Sequence, residues 1–235
     1  MLHEVTTDGG MGFCHQALPA VLPSGYHGPL VVALDSNALI DLQQHGNLLL
    51  NGKVPEGLDE VYAADLSGLA DLLNLWLLRD IRFVVTPRSF TDAKKVTQRF
   101  LDRRLPAVHA IAESLAFQLG DWAQPAPSSR PASTLGNETA LPDGPDRDLV
   151  LEAQAVGAHV FLTRDRLVLE RVALSGPSMA VAPPAWLAGE LANAGIQPFF
   201  GGTCGRDACP YHGWSMPAPD MGKWGGLLSI LGDEE

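Results

Sequence analysis

Leu30-Val31-Val32-Ala33-Leu34-Asp35 is the stretch that decides the fold. Five apolar residues in a row, rich in branched side chains, suit a strand covered on both faces, as strands of parallel sheets are, and the run stops at a carboxylate. Beyond it, Ala38 to Gln44 has helical spacing, and Gly46 to Gly57 holds turn residues. From Leu58 to Arg79, Leu66, Leu69, Leu72, Leu73, Trp76 and Leu77 recur at helical intervals, which predicts a long helix leading into strand Arg82–Thr86. Pro87 ends that strand, and helices are expected over Ser89 to Arg103 and Pro106 to Leu119. Asp148 to Val156 reads as a helix closed by Gly157, His159–Leu162 and Met179–Ala182 as strands, and Ala185 to Ala194 as a helix entered through two prolines.

Strands alternating with helices predict an α/β protein, a three-layer α/β/α sandwich around a mostly parallel sheet, over residues 29–195. Irregular extensions are expected on either side: residues 1–28, without clear period, and a Gly/Pro/Trp-rich tail over 196–235. Inside the domain, 121–145 is dense in Pro, Ala, Ser, Thr and Gly, the composition of a mobile loop.

With 235 residues and 46% hydrophobic content the chain can bury a sizeable core, one domain with additions. Its apolar runs are too short to cross a bilayer, and the first residues lack the basic start and apolar stretch of a signal peptide, so a soluble, cytoplasmic protein is expected. Three cysteines, Cys14, Cys204 and Cys209, are an odd number and predict reduced thiols. A net charge of -11 argues against non-specific coating of nucleic acid. Eight of the 16 Lys and Arg residues nevertheless fall between positions 79 and 104 against three aspartates, which gives that segment +5. Such a run is either a solvated helix face or a phosphate-contacting patch.

In open α/β sheets ligands bind beyond the carboxyl ends of the strands. Asp35 ends the first strand, Asp165 follows another, Asp148 opens a helix, and Asp92 sits early in the helix after the second strand. Each alone reads most simply as a cap or turn residue. Together at one edge they would repel one another unless a cation neutralised them, and an all-oxygen set suits Mg²⁺ or Mn²⁺ and phosphoryl chemistry.

Val31 to Ile40, with Asp35, Ser36 and Asn37 at its centre, resembles the opening of PIN-domain ribonucleases. Val84 to Asp92 is similar to their second motif, although the family usually has Glu where this chain has Asp92. Asp148 to Ala153 resembles the third motif, Phe161 to Arg166 the fourth with its Thr-x-Asp, and Val181 to Leu187 the closing strand and helix. The resemblance implies a metal-dependent endoribonuclease with Asp35, Asp92, Asp148 and Asp165 on the ion and Asn37 and Thr163 orienting ligands or water. Asp146 rivals Asp148, and Glu152 is expected to be an exposed helical side chain. A substrate RNA needs positive charge near the acids, which Lys94, Lys95 and Arg99 would supply. Many small members of the family are toxins held by an antitoxin; they are shorter and lack this tail. The other readings are a catalytically weak PIN-like module that binds RNA or protein, and a phosphatase of the haloacid dehalogenase type. The latter would need Asp where Asn37 stands. The apolar helix Leu58–Arg79 can serve a homodimer or the core.

In the tail, Cys204, Cys209 and His212 have spacing compatible with Zn²⁺, but a closed site needs a fourth ligand. Cys14 or His15 would provide it only if the N-terminal extension folded back. A loop with reduced thiols that packs Phe199, Phe200 and Trp214 on the core is the simpler expectation.

Overall fold

The computed structural model describes residues 11–93, 141–173, 179–197, 207, 209–212 and 225. In chain order the elements are β1 (Phe13–Cys14), β2 (His27–Gly28), β3 (Leu30–Leu34), α1 (Ser36–Leu50), α2 (Glu60–Trp76), β4 (Ile81–Val85), α3 (Pro87–Ala93), α4 (Pro145–Ala155), β5 (Val160–Leu162), α5 (Arg166–Ala173), β6 (Ala180–Ala182) and α6 (Pro184–Asn193). Four strands form one all-parallel sheet in the order β4-β3-β5-β6. Leu34 pairs with both Val85 and Leu162, and Leu162 with Ala182, so the four carboxyl ends share one edge.

Strand periodicity sorts the side chains into two cores. Leu30, Val32, Leu34, Ile81, Phe83, Val85, Val160 and Leu162 pack with residues of α1, α2 and α6. Val31, Ala33 and Phe161 face the other way, onto Leu149, Val150 and Ala153 of α4 and Val168 and Val172 of α5. Helices therefore cover both faces, the three-layer sandwich that the apolar run at Leu30 implies. The apolar side of α2 is taken up by the core, where Leu66, Leu69, Leu72, Leu73 and Trp76 are buried.

Three helices differ from expectation, the first being α4, which opens at Pro145 and so places Asp148 as its fourth residue rather than its first. α1 runs on to Leu50 because Gly46 lies buried inside it, rather than ending it, and Leu49 and Leu50 still reach the core. α5 carries only Val168 and Val172 as buried apolar residues, a stripe too thin to read, and owes its start to Asp165. The N-terminal extension is less irregular than its composition implies. β1 and β2 pair antiparallel, and Phe13, Leu18, Val21 and Leu22 belong to the main core. The expected helix over 106–119 and most of the 121–145 loop lie outside the described residues. Of that loop's last five residues, Leu141 is buried and Pro145 opens α4. Among the described residues no helix is long and apolar enough to cross a membrane.

Gly68 fixes how closely α2 meets α6. A Cβ there would stand 2.6 Å from Ala185 N and 2.7 Å from Pro184 C, both backbone atoms that cannot step aside. Gly68→Ala is expected to cost about 2 kcal/mol by overpacking, despite the better helix propensity of Ala, and to lower the midpoint of thermal unfolding by several degrees. An unchanged midpoint would mean that the two helices are not held at this distance.

Candidate functional site

Asp35 follows the last residue of β3 and caps α1; Thr163 and Asp165 follow β5. These strands are neighbours, yet α1 packs on one face of the sheet and α5 on the other. A crevice opens where adjacent strands send their helices apart, which is where open α/β sheets take ligands. The sequence-predicted pair Asp35 and Asp165 stands on either side of that point.

The Asp35 carboxylate is buried and accepts four bonds. Oδ1 takes Ser36 N–H at 2.6 Å and the Ser36 hydroxyl at 3.2 Å. Oδ2 takes the Asn37 amide at 2.7 Å and the Thr163 hydroxyl at 2.6 Å. Asn37 also donates to Thr163 Oγ1 at 3.2 Å, and its own oxygen accepts Arg164 N–H at 3.3 Å. Asn37 and Thr163 thus hold the Asp35 carboxylate in place. Burial raises the Asp35 pKa above its ordinary value; the bonds from Thr163 and Ser36 work against that rise, and the negative charge of Asp165 adds to it. Asp165 is exposed and caps α5, its Oδ1 accepting Leu167 N–H at 2.8 Å and Val168 N–H at 3.3 Å.

Asp92 and Asp148 form a second pair, and Arg88 joins them. Its Nε donates to Asp92 Oδ2 at 3.0 Å, and its Nη1 lies 3.7 Å from Asp148 Oδ2. Asp146 and Asp148 both stand in the first turn of α4, and Asp148 is the one that Arg88 approaches. Glu152 is not the exposed side chain expected of it: Oε2 accepts the Arg88 backbone N–H at 2.8 Å and ties α4 to the start of α3. Ser89 completes that anchorage, donating to Leu34 O at 2.8 Å.

Among the described residues no three His, Cys, Asp or Glu side chains stand close enough to hold one ion. Asp35 accepts four bonds from protein donors, and the Arg88 guanidinium lies between Asp92 and Asp148. As arranged, the four acids stand as two pairs, Asp35 with Asp165 and Asp92 with Asp148, rather than as one shared cage.

The +5 segment is not one continuous patch. Arg79 is buried and donates to Gly12 O at 3.2 Å, Arg82 pairs with Asp80 at 3.0 Å, and Arg88 serves the acids. Lys94, Lys95 and Arg99 lie outside the described residues. A third charged group stands at this edge, where Arg164, which flanks Asp165 in sequence, pairs with an acid rather than standing free for phosphate. Arg164 grips Asp41 of α1 with two bonds of 2.7 and 2.8 Å and stacks over Tyr62, 4.4 Å from the ring centroid. Tyr62 donates to the same carboxylate at 2.9 Å, and burial together with Asp41 pushes its hydroxyl up to about 12. The signal was present: Asp41 stands three residues after Ala38 on the buried side of α1, where a charge needs a partner.

A groove of about 410 Å³ lined by Asp71, Asn74, Leu75, Ala188, Ala192, Ile196 and Gln197 lies between α2 and the end of α6, away from these acids. Of the tail residues weighed for zinc, Cys209 is buried against Cys14, so the N-terminal extension does fold back. His212 is exposed, 3.6 Å from Asp207, and Cys204 lies outside the described residues.

No protein-family model, no curated protein and no solved structure matches the chain.

Proposed function

We propose that the chain is a nuclease of the PIN-like kind, dependent on Mg²⁺ or Mn²⁺, cutting RNA at the carboxyl edge of its sheet. The observation that carries the reading is the placement of Asp35 and Asp165 on either side of the point where β3 and β5 send their helices to opposite faces. The motif likeness names the chemistry, and the carboxyl edge of a parallel sheet is where such folds take ligands. The chain's own residues have plain tasks there. Thr163 and Asn37 hold Asp35 in one orientation, and Arg164 pins the loop that carries Thr163 and Asp165 to α1. The cation requirement carries a condition, since Arg88 must release Asp92 and Asp148 before those acids can serve anything else.

Arg88 also favours a second reading, a PIN-like module that binds RNA or protein with no reaction, because an arginine clamp neutralises half of the acid set without an ion. Labelled single-stranded RNA and DNA incubated with the purified protein and Mn²⁺ separate the two. RNA fragments bearing 5′-phosphates support the nuclease; RNA retained intact supports the module.

Lys94 and Lys95 follow α3 directly in sequence and are proposed to meet the phosphate chain. The double variant Lys94→Ala, Lys95→Ala is expected to weaken RNA binding and to reduce the slope of log affinity against log salt by roughly 1.4. An unchanged slope would return these lysines to a solvated face.

A further inference from the structure

The N-terminal ribbon and the C-terminal segment meet beside the amino end of β4, away from the acids. Met11 bridges Arg79 in parallel, and Asp80 N–H donates to Met11 O at 3.0 Å, which seats the start of the ribbon next to β4. Tyr211 packs so tightly over the ribbon that a Cβ on Gly12 would lie 2.3 Å from its hydroxyl. Inside this contact are two buried thiols not joined by a disulfide, Cys14 of β1 and Cys209, with Met11 and Tyr211 around them. Their sulfurs are 3.2 Å apart although 195 positions separate them in sequence.

That distance discriminates between fates of the pair. Two thiolates on one tetrahedral zinc, each about 2.3 Å from the metal, would stand roughly 3.8 Å apart. Among the described residues the sulfurs are surrounded by Met11 and Tyr211, and no three His, Cys, Asp or Glu side chains gather there. A disulfide needs the sulfurs to close by only about 1.2 Å, to about 2.05 Å. Cys209 is buried but is followed by exposed Pro210 and, three residues on, exposed His212, so its segment runs at the surface.

We propose that Cys14 and Cys209 form a disulfide on exposure to a hydroperoxide, fastening the C-terminal segment to the N-terminal ribbon. One thiolate attacks a peroxide oxygen, breaking the O–O bond and yielding a sulfenic acid and water once protons are counted. The second thiolate attacks the sulfenic sulfur and expels a second water. Two thiols and one hydrogen peroxide thus give one disulfide and two waters, sulfur losing the two electrons that the peroxide gains. Because the bond would close a loop spanning most of the chain, it removes much of the freedom of the unfolded state, and the melting midpoint should rise by on the order of 10 °C. The crosslink is independent of any nuclease activity.

The test uses the full reduced chain, freed of reductant and treated with hydrogen peroxide. Thiols counted in denaturant should fall from three to one, unreduced peptide mapping should yield a Cys14–Cys209 pair, and the melting midpoint should rise and return with dithiothreitol. Cys204→Ser should still crosslink, while Cys14→Ala and Cys209→Ala should each abolish the pair. Two free thiols in peroxide-treated Cys204→Ser would overturn the proposal. So would sulfinic acid at either position without a crosslink, a bond to Cys204 in the parent chain, or one zinc per chain that must be chelated before the thiols react.

Discussion

Arg164→Ala is expected to destabilise the protein by about 3 kcal/mol at neutral pH, lowering the melting midpoint by on the order of 10 °C. The reason lies in what stays behind. Asp41 is buried, and without the guanidinium its hydrogen-bonding side-chain partner among the described residues is the Tyr62 hydroxyl. Stacking over Tyr62 is lost as well. Arg164→Lys should recover only part of the loss, because an ammonium cannot make the two parallel bonds. Adding Asp41→Asn to Arg164→Ala should recover more, since the stranded charge is then gone.

The deficit should also depend on pH in a definite direction. Burial raises the Asp41 pKa above 3.8, and the Arg164 charge works to lower it. A folded-state pKa above the unfolded value means that the folded protein binds the proton more tightly. Stability from this group is therefore greatest below pH 3.8 and is lost as pH rises through the folded value. Removing Arg164 raises that value further, so the variant should lie closer to the parent at pH 5 than at pH 7.5. Midpoints measured at both values check this, and a deficit that is constant across them would mean that Asp41 stays ionised in both proteins.

Asp35→Asn is expected to cut the proposed RNA cleavage on the order of 10³-fold, the scale of several kcal/mol of lost charge stabilisation. The fold should survive, because Asn has the shape of Asp and one amide oxygen can still accept. Its NH₂ must face donors, however: Ser36 on one side, or Asn37 and Thr163 on the other. Thr163 Oγ1 already accepts Asn37 and Asp165 N–H, and the Asn37 amide can only donate, so a stability loss of about 1–2 kcal/mol is expected. Circular dichroism and the melting midpoint separate that modest loss from the loss of rate. A variant that cleaves RNA at the parent's rate would remove Asp35 from the chemistry.

The sheet was legible because its signals are local. Leu30 to Leu34 is buried on both faces, and a strand of that kind must be apolar throughout; Pro87 and Gly157 mark element ends by backbone chemistry alone. Asp35, Asn37 and Thr163 could be placed because each follows a strand whose direction the pattern fixes. What stayed hidden depends on packing between distant segments. Glu152 looks like any exposed helical acid until α4 is set beside the start of α3. Arg88 reads as one more cation in a basic run, and only the fold brings Asp148, sixty positions away, to its guanidinium. Arg79 and Arg82 likewise leave the expected patch because local partners bind them. No spacing rule relates Cys14 to Cys209. The irregular period of the first 28 residues concealed Phe13 and Leu18, whose burial depends on a ribbon of two short strands that have no pattern of their own.

The most direct trial of the nuclease reading is the rate of RNA cleavage as Mn²⁺ is titrated into protein stripped of divalent ions with EDTA. The account predicts no cleavage before addition, a rate that rises and saturates with Mn²⁺, and products with 5′-phosphate ends. Cleavage at an equal rate in EDTA, or none at any Mn²⁺ concentration, would contradict it.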